Sequence, residues 1–228
     1  EAIEQSCNYY FNMVGFKLGQ DENGDFSENR SLTVLQKYAS EIGLDKKTGI
    51  ELTESSPQVS NAYAVPSYIG QGTNAYTTSQ LARYATTIAT SGTVYDLTLL
   101  DRQTDSKGSV LKEYEPNVIN TMDVSQNVWD DIHDGMYRVV QTHKQFDGLG
   151  VQVAGKTGTA EVDGVYHPNH GMFIGYAPAT DPQYAIAVRI ENGYSSGNAC
   201  LAADDIFKYI FQLADEQTIL TGVAASDT

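Results

Sequence analysis

The segment Ala154-Gly155-Lys156-Thr157-Gly158-Thr159-Ala160 sets a cation, two hydroxyls and two glycines on a run bounded by strand-like sequence. Lys156 offers a point charge, and Thr157 and Thr159 offer hydroxyl donors for a carboxylate. An extended backbone here also offers N–H groups to an oxyanion. Gly155 and Gly158 remove side chains where a substrate backbone would lie close to the strand. A second polar group, Ser6-Cys7-Asn8, stands just before a run from Tyr9 to Leu18 whose apolar residues recur at helical spacing and stop at Gly19. Ser6 and Asn8 therefore sit at the mouth of a helix, where either residue also serves as a plain N-cap.

The elements that must hold these groups are legible from patterning. Val151, Val153 and Ala154 before the lysine, and Met172-Phe173-Ile174 beyond the next turn, read as neighbouring strands of a buried antiparallel sheet. Helices are expected at about residues 8–18, 31–42 and 78–91, the last entered through Thr77-Thr78-Ser79-Gln80, a capping box. Residues 55–74, rich in Ser, Pro, Gly and Tyr, read as a long surface loop. From about Tyr95 the signal turns to strands, with a hairpin at 95–114 and a helix at 125–142 carrying Trp129, Ile132, Met136 and Val139 on one face. Strands at 151–161, 170–176 and 184–192 and a helix at 198–213 close the fold, and 214–228 reads as a tail. The expected organisation is a helical lobe over 1–94 and an α/β lobe over 95–213, with the polar motifs at the seam.

Length and composition permit this. A chain of 228 residues with 41% hydrophobic residues can bury a substantial core in one large or two small domains. A net charge of −15 argues against nucleic acid and against direct docking on anionic lipid. No apolar run is long enough to cross a bilayer. Cys7 and Cys200 fall in different expected elements, so two reduced thiols are the default.

Taken together and in this order, S-x-N at Ser6 to Asn8 and K-T-G at Lys156 to Gly158 resemble the motif set of penicillin-binding transpeptidases and serine β-lactamases. Ile69-Gly70-Gln71-Gly72 followed by Thr77-Thr78-Ser79-Gln80-Leu81-Ala82, and His170-Gly171-Met172-Phe173-Ile174-Gly175-Tyr176-Ala177-Pro178, extend the resemblance over about residues 1–213. Their forms resemble monofunctional, class B members of the penicillin-binding family. The resemblance implies an α/β chain of the serine β-lactamase/transpeptidase type, a helical lobe plus an antiparallel sheet flanked by helices. It implies acyl transfer from a D-Ala-D-Ala stem peptide of peptidoglycan, with β-lactams as covalent inhibitors. By motif position Ser6 would relay a proton between the leaving amine and Lys156, Asn8 would hold the substrate amide, and Thr157 and Thr159 would bind the substrate carboxylate. Gly158 would let the substrate strand approach, and the N–H of Thr159 would form half of an oxyanion hole.

One departure stands out. The family's nucleophile, the serine of S-x-x-K, should precede S-x-N, and only five residues precede Ser6. The literal match Ser109-Val110-Leu111-Lys112 follows a turn signal, and in a strand residues i and i+3 point to opposite faces. The expectation is therefore a C-terminal part of a catalytic domain, inactive alone, with the nucleophile, the first strands of the sheet and a membrane anchor in an upstream part. Such a chain would leave a sheet edge unpaired. Its partners would be that upstream part and other cell-wall synthesis proteins, at the extracytoplasmic face of a bacterial membrane. Two other function classes fit the same motifs: a penicillin-sensing or assembly module without chemistry, and a serine β-lactamase, for which no water-activating carboxylate is identifiable. No cofactor is required. If the two motifs meet, Cys7 is brought towards Asp163, His167 and His170, a donor set suited to tetrahedral zinc. The alternative is that His170 is a strand-edge residue, His167 a loop residue and Cys7 a packed thiol.

Overall fold

A computed structural model describes residues 1–161 and 167–220. The chain forms two compact units, one of Tyr9–Val124 and one in which Glu1–Asn8 joins Ser125–Thr228. The expected division at 94/95 follows the change from helical to strand pattern, but compactness divides the chain elsewhere. The first short strands pack on the preceding helix, and the N-terminal segment belongs with the sheet.

The unit of Tyr9–Val124 is helical at its centre. Helix α1 spans Asn8–Leu18. Helix α2, Glu28–Glu41, starts earlier than its apolar pattern suggests because Ser27 caps it, accepting from the Arg30 N–H at 3.4 Å. Buried Ser31 ties the two together by donating to the Gly15 carbonyl at 2.7 Å. A short helix, α3 (Ala64–Ser67), lies in the long loop, and α4 (Thr78–Ala89) begins with the expected capping box between Thr77 and Gln80. Glu54 anchors that loop to the start of α4. It accepts from the Thr48 N–H at 2.6 Å and Thr77 Oγ1 at 3.0 Å, and also from Ser79 Oγ. The expected hairpin at 95–114 is two separate pairings. Strand β1 (Thr93–Tyr95) pairs with β4 (Val118–Thr121), while β2 (Arg102–Thr104) and β3 (Val110–Glu113) form an exposed hairpin between them.

In the other unit, α5 (Gln126–Gln141) buries Trp129, Met136, Val139 and Val140, as its periodicity requires. Three antiparallel strands follow in the order β5 (Ala154–Ala160), β6 (His170–Ala177) and β7 (Tyr184–Ile190). Among the described residues β5 and β7 are both edge strands. The register sets Lys156 opposite Ile174 and Ala154 opposite Tyr176. Lys156, Gly158, Met172 and Tyr176 therefore share one face, and Phe173 and Ile186 the other. Helix α6 (Ser196–Ile210) covers the second face with Ala199, Cys200, Ala203 and Phe207, all fully buried. On the first face His133 of α5 hydrogen-bonds buried Tyr176. A terminal turn, α7 (Glu216–Ile219), is capped by Asp215, which accepts from the Thr218 N–H at 2.7 Å.

Candidate active site

The site is built from the N-terminal segment and the edge strand β5. Residues 1–5 wind as a helical turn that ends in a nested pair of bonds: the Ser6 N–H donates to the Ile3 carbonyl at 3.1 Å and the Cys7 N–H to the Ala2 carbonyl at 3.0 Å. This closing pattern puts the residue after the turn in the left-handed region, a place that glycine fills by default. Here it is Ser6, at φ 47°. A serine in that conformation costs about 1 kcal/mol, a strain that structures tend to hold at functional sites. Because α1 begins at Asn8, the N-cap position falls to Cys7, and neither Ser6 nor Asn8 serves as the plain cap. Gly135 of α5 seats the segment: a Cβ there would lie 3.0 Å from Ile3 Cβ, so the missing side chain is what lets Ile3 pack against the helix.

That placement brings Ser6 to the lysine. Lys156 Nζ donates to Ser6 Oγ at 2.6 Å and to the Thr157 carbonyl at 2.9 Å. With its oxygen accepting from Lys156, the Ser6 hydroxyl keeps its own hydrogen to give to a third group. Burial pulls the Lys156 pKa below its ordinary 10.5. Cys200 lies within electrostatic reach, but burial pushes its thiol up to about 12, so it is neutral at pH 7. His143, after α5, is shifted down by its own burial and then by the charge of Lys156. The surroundings thus hold one mobile proton on a partly desolvated lysine, with neutral neighbours.

The remaining residues divide by face. Pleating points Thr157 and Thr159 away from Lys156 and Gly158, so what the four share is the open edge of β5 rather than one surface. Thr159 is exposed and Thr157 half-buried; Asn8 is exposed at the first position of α1. The two glycines have different causes. A Cβ on Gly155 would sit 2.3 Å from Phe173 Cζ, so packing within the sheet demands this glycine, and the expectation of substrate approach there is corrected. Among the described residues a Cβ on Gly158 would meet only Met172 Cβ at 3.4 Å, an ordinary contact, so their packing does not demand this glycine.

Ser109 lies in the turn of the exposed β2–β3 hairpin, its N–H donating to Asp105 Oδ1 at 2.9 Å, while Lys112 Nζ stands 4.1 Å from the Tyr114 ring centroid. The pair does not form a nucleophile and its base. Of the zinc candidates, Asp163 lies outside the described residues, and His167 is exposed. Among the described residues no three His, Cys, Asp or Glu side chains gather into a metal-binding group. His170 accepts the Asn192 N–H at Nδ1, 3.1 Å, and presents Nε2 to Arg189 at 3.0 Å, which occupies both ring nitrogens. Sequence reasoning missed the left-handed Ser6 and the role of Gly135. Neither has a local signal: one is a serine where glycine is usual, the other a helix glycine matched to a residue far away in sequence.

With this geometry in hand, the comparisons give the family. Residues 1–212 match the penicillin binding protein transpeptidase domain, and the chain belongs to that family. It is 32% identical to peptidoglycan D,D-transpeptidase PbpA of Mycolicibacterium smegmatis over 85% of this chain and 38% of that protein. Its fold is similar to penicillin-binding protein 2B of Streptococcus pneumoniae, with a TM-score of 0.80 at 26% identity, covering 94% of this chain and 39% of the other. It is also similar to a ceftriaxone acyl-enzyme complex of penicillin-binding protein A from M. tuberculosis, at a TM-score of 0.76 and 25% identity, covering 94% and 48%. The architecture is thus that of the penicillin-binding transpeptidases. The chain spans about a third of the length of the curated relatives it matches.

Proposed function

We propose that this chain supplies one wall of a peptidoglycan D,D-transpeptidase active site, with the attacking serine supplied from outside these 228 residues. The observation that carries the reading is the 2.6 Å hydrogen bond from Lys156 Nζ to a strained Ser6. In the reaction, a serine attacks the carbonyl between two D-alanines of a stem peptide, its hydroxyl proton passing to a base supplied with it from outside these residues. As the C–N bond breaks, Ser6 gives its proton to the leaving amine and recovers one from Lys156, whose lowered pKa eases that transfer. A neighbouring stem's amine then takes the acyl group: it forms the new C–N bond, gives a proton back through Ser6 to Lys156, and the released serine oxygen recovers its proton from its own base. Asn8 holds the substrate amide, Thr157 and Thr159 bind the leaving residue's carboxylate along the β5 edge, and the Thr159 N–H donates to the oxyanion. Gly158 leaves room for the substrate backbone.

β-Lactams would enter the same site and acylate the same serine. The parent protein would act at the extracytoplasmic face of a bacterial membrane among other cell-wall synthesis proteins; no described helix is long and apolar enough to cross a bilayer. Fluorescent penicillin tests the assignment of the nucleophile. The 228-residue chain alone should remain unlabelled. Stable labelling at Ser109 would overturn the reading.

A further inference from the structure

Helix α5 is tied to the first face of the sheet through a buried polar pair. His133 Nδ1 shares a hydrogen bond with the Tyr176 hydroxyl, and the two rings meet edge to face with centroids 5.5 Å apart. Tyr176 is fully buried, and burial raises its pKa, so at neutral pH the group is a phenol with one hydrogen to give. A neutral imidazole accepts that hydrogen at Nδ1 and carries its own on Nε2; a protonated ring has a hydrogen on both nitrogens and accepts nothing. Protonation therefore reverses the bond, and the phenol hydrogen must turn away from the ring inside a site closed to water. Burial accordingly lowers the pKa of His133 from 6.5, against the pull of Asp130 on the same helix. Asp134, beside His133 in sequence, is bridged to Arg138 at 2.9 Å. The elements packed against α5 also bring charges. Glu1 and Glu4 of the N-terminal segment act on Arg138, Lys156 of β5 acts on His143, and Lys144 opens the short helical turn beyond the end of α5.

The pair belongs to a closed circuit of contacts within one compact unit. Tyr176 stands opposite Ala154, two residues before Lys156 on the same face. Two residues beyond His133 on α5 is Gly135, the seat of Ile3, and the Ile3 carbonyl accepts from the Ser6 N–H at 3.1 Å. Ser6 Oγ then accepts from Lys156 Nζ at 2.6 Å, which returns the circuit to β5. The height of α5 above the sheet thus enters directly into where Ser6 stands relative to Lys156. We propose that His133 is a positioning residue of the acyl-transfer site: as a neutral acceptor for Tyr176 it holds α5 at the height that sets Ser6 on Lys156, and on protonation it releases that setting. It touches neither the substrate nor the reacting atoms. Folding favours the neutral ring, so the tie is intact above 6.5 and is lost as pH falls below it. A misplacement of about 1 Å at such a site costs up to about 10²-fold in rate, so acylation should show an acid limb that comes from outside the proton relay. This role rests on the transpeptidase reading.

The test compares the parent protein with His133→Phe, which keeps a ring but no acceptor, and His133→Asn, whose side-chain oxygen accepts but does not titrate. NMR follows the His133 ring and the Ser6 amide against pH, and rapid kinetics with penicillin separate binding from the maximal acylation rate. The Ser6 amide should shift with the same midpoint as the His133 ring, below 6.5, and the maximal rate should fall through that midpoint. His133→Phe should lower the maximal rate at neutral pH about tenfold with the binding step unchanged. His133→Asn should recover most of that loss and remove both the acid limb and the Ser6 shift. A Ser6 shift or an acid limb that survives in His133→Asn would assign the titration to another group, such as His143, and overturn the proposal. A wild-type maximal rate in folded His133→Phe would also overturn it. If His133→Phe does not fold, the comparison with His133→Asn decides alone. A coupled titration of Ser6 and His133 in a parent that penicillin does not acylate would uphold the link between the two residues and overturn the transpeptidase reading instead.

Discussion

Ser6 is the residue at which stability and chemistry conflict. It holds a left-handed conformation that glycine adopts without cost, at the end of a turn whose closing bonds are both made. Ser6→Gly should therefore stabilise the fold by about 0.5–1 kcal/mol in thermal or denaturant unfolding, and it should remove the proposed proton relay. Loss of stability in Ser6→Gly would show that the serine side chain, not the site, maintains the turn. The two glycines of β5 make a matched pair of opposite sign. Gly155→Ala should destabilise by about 1–3 kcal/mol, because its Cβ would fall 2.3 Å from Phe173 Cζ. Gly158→Ala meets only an ordinary 3.4 Å contact, so stability should stay within about 0.5 kcal/mol while β-lactam acylation of the parent protein slows. The motif residues were legible because K-T-G and S-x-N are short and local. The difference between Gly155 and Gly158 was not, since it depends on a ring contributed by the neighbouring strand.

At the scale of elements, α5 positions the N-terminal segment, and Gly135 is the point of contact. Gly135→Leu should displace Ile3 and with it Ser6, lowering acylation of the parent protein while α5 itself remains helical by circular dichroism. Unchanged acylation would mean that the segment is held elsewhere. In the other unit, Glu54 joins the long loop to α4. Burial by itself would raise its pKa, but hydrogen bonds from Ser79, Thr48 and Thr77 outweigh it and the net shift is below the ordinary 4.5. A carboxylate depressed on folding stabilises above its unfolded pKa, so this contribution should be lost as pH falls below about 4.5. Glu54→Gln should flatten the acid limb of the stability curve, read from Tm against pH. The long helices were readable from periodicity and stops, as with α1 ending before Gly19. The pairing of β1 with β4 was not. A three-residue strand has too little pattern to announce a partner beyond an intervening hairpin.

Across the length of the chain, one compact unit brings Glu1–Asn8 together with the three-stranded sheet of β5 to β7, which is why Ser6 and Lys156, 150 positions apart, share a hydrogen bond. A linear division into a helical and an α/β lobe could not anticipate this. Charge patterning and segment type run along the chain, whereas docking of a terminal turn is a tertiary event. The central claim is that Lys156 and Ser6 are half of an acyl-transfer site whose serine lies outside these residues. Its most direct measurement is the second-order rate of acylation by penicillin in a protein that joins this chain to a serine-bearing segment of its parent, compared with Lys156→Gln and Ser6→Ala. Both variants should fold and acylate about 10²–10⁴ times more slowly, the range of a lost acid–base group. Acylation at the wild-type rate in either folded variant would contradict the account.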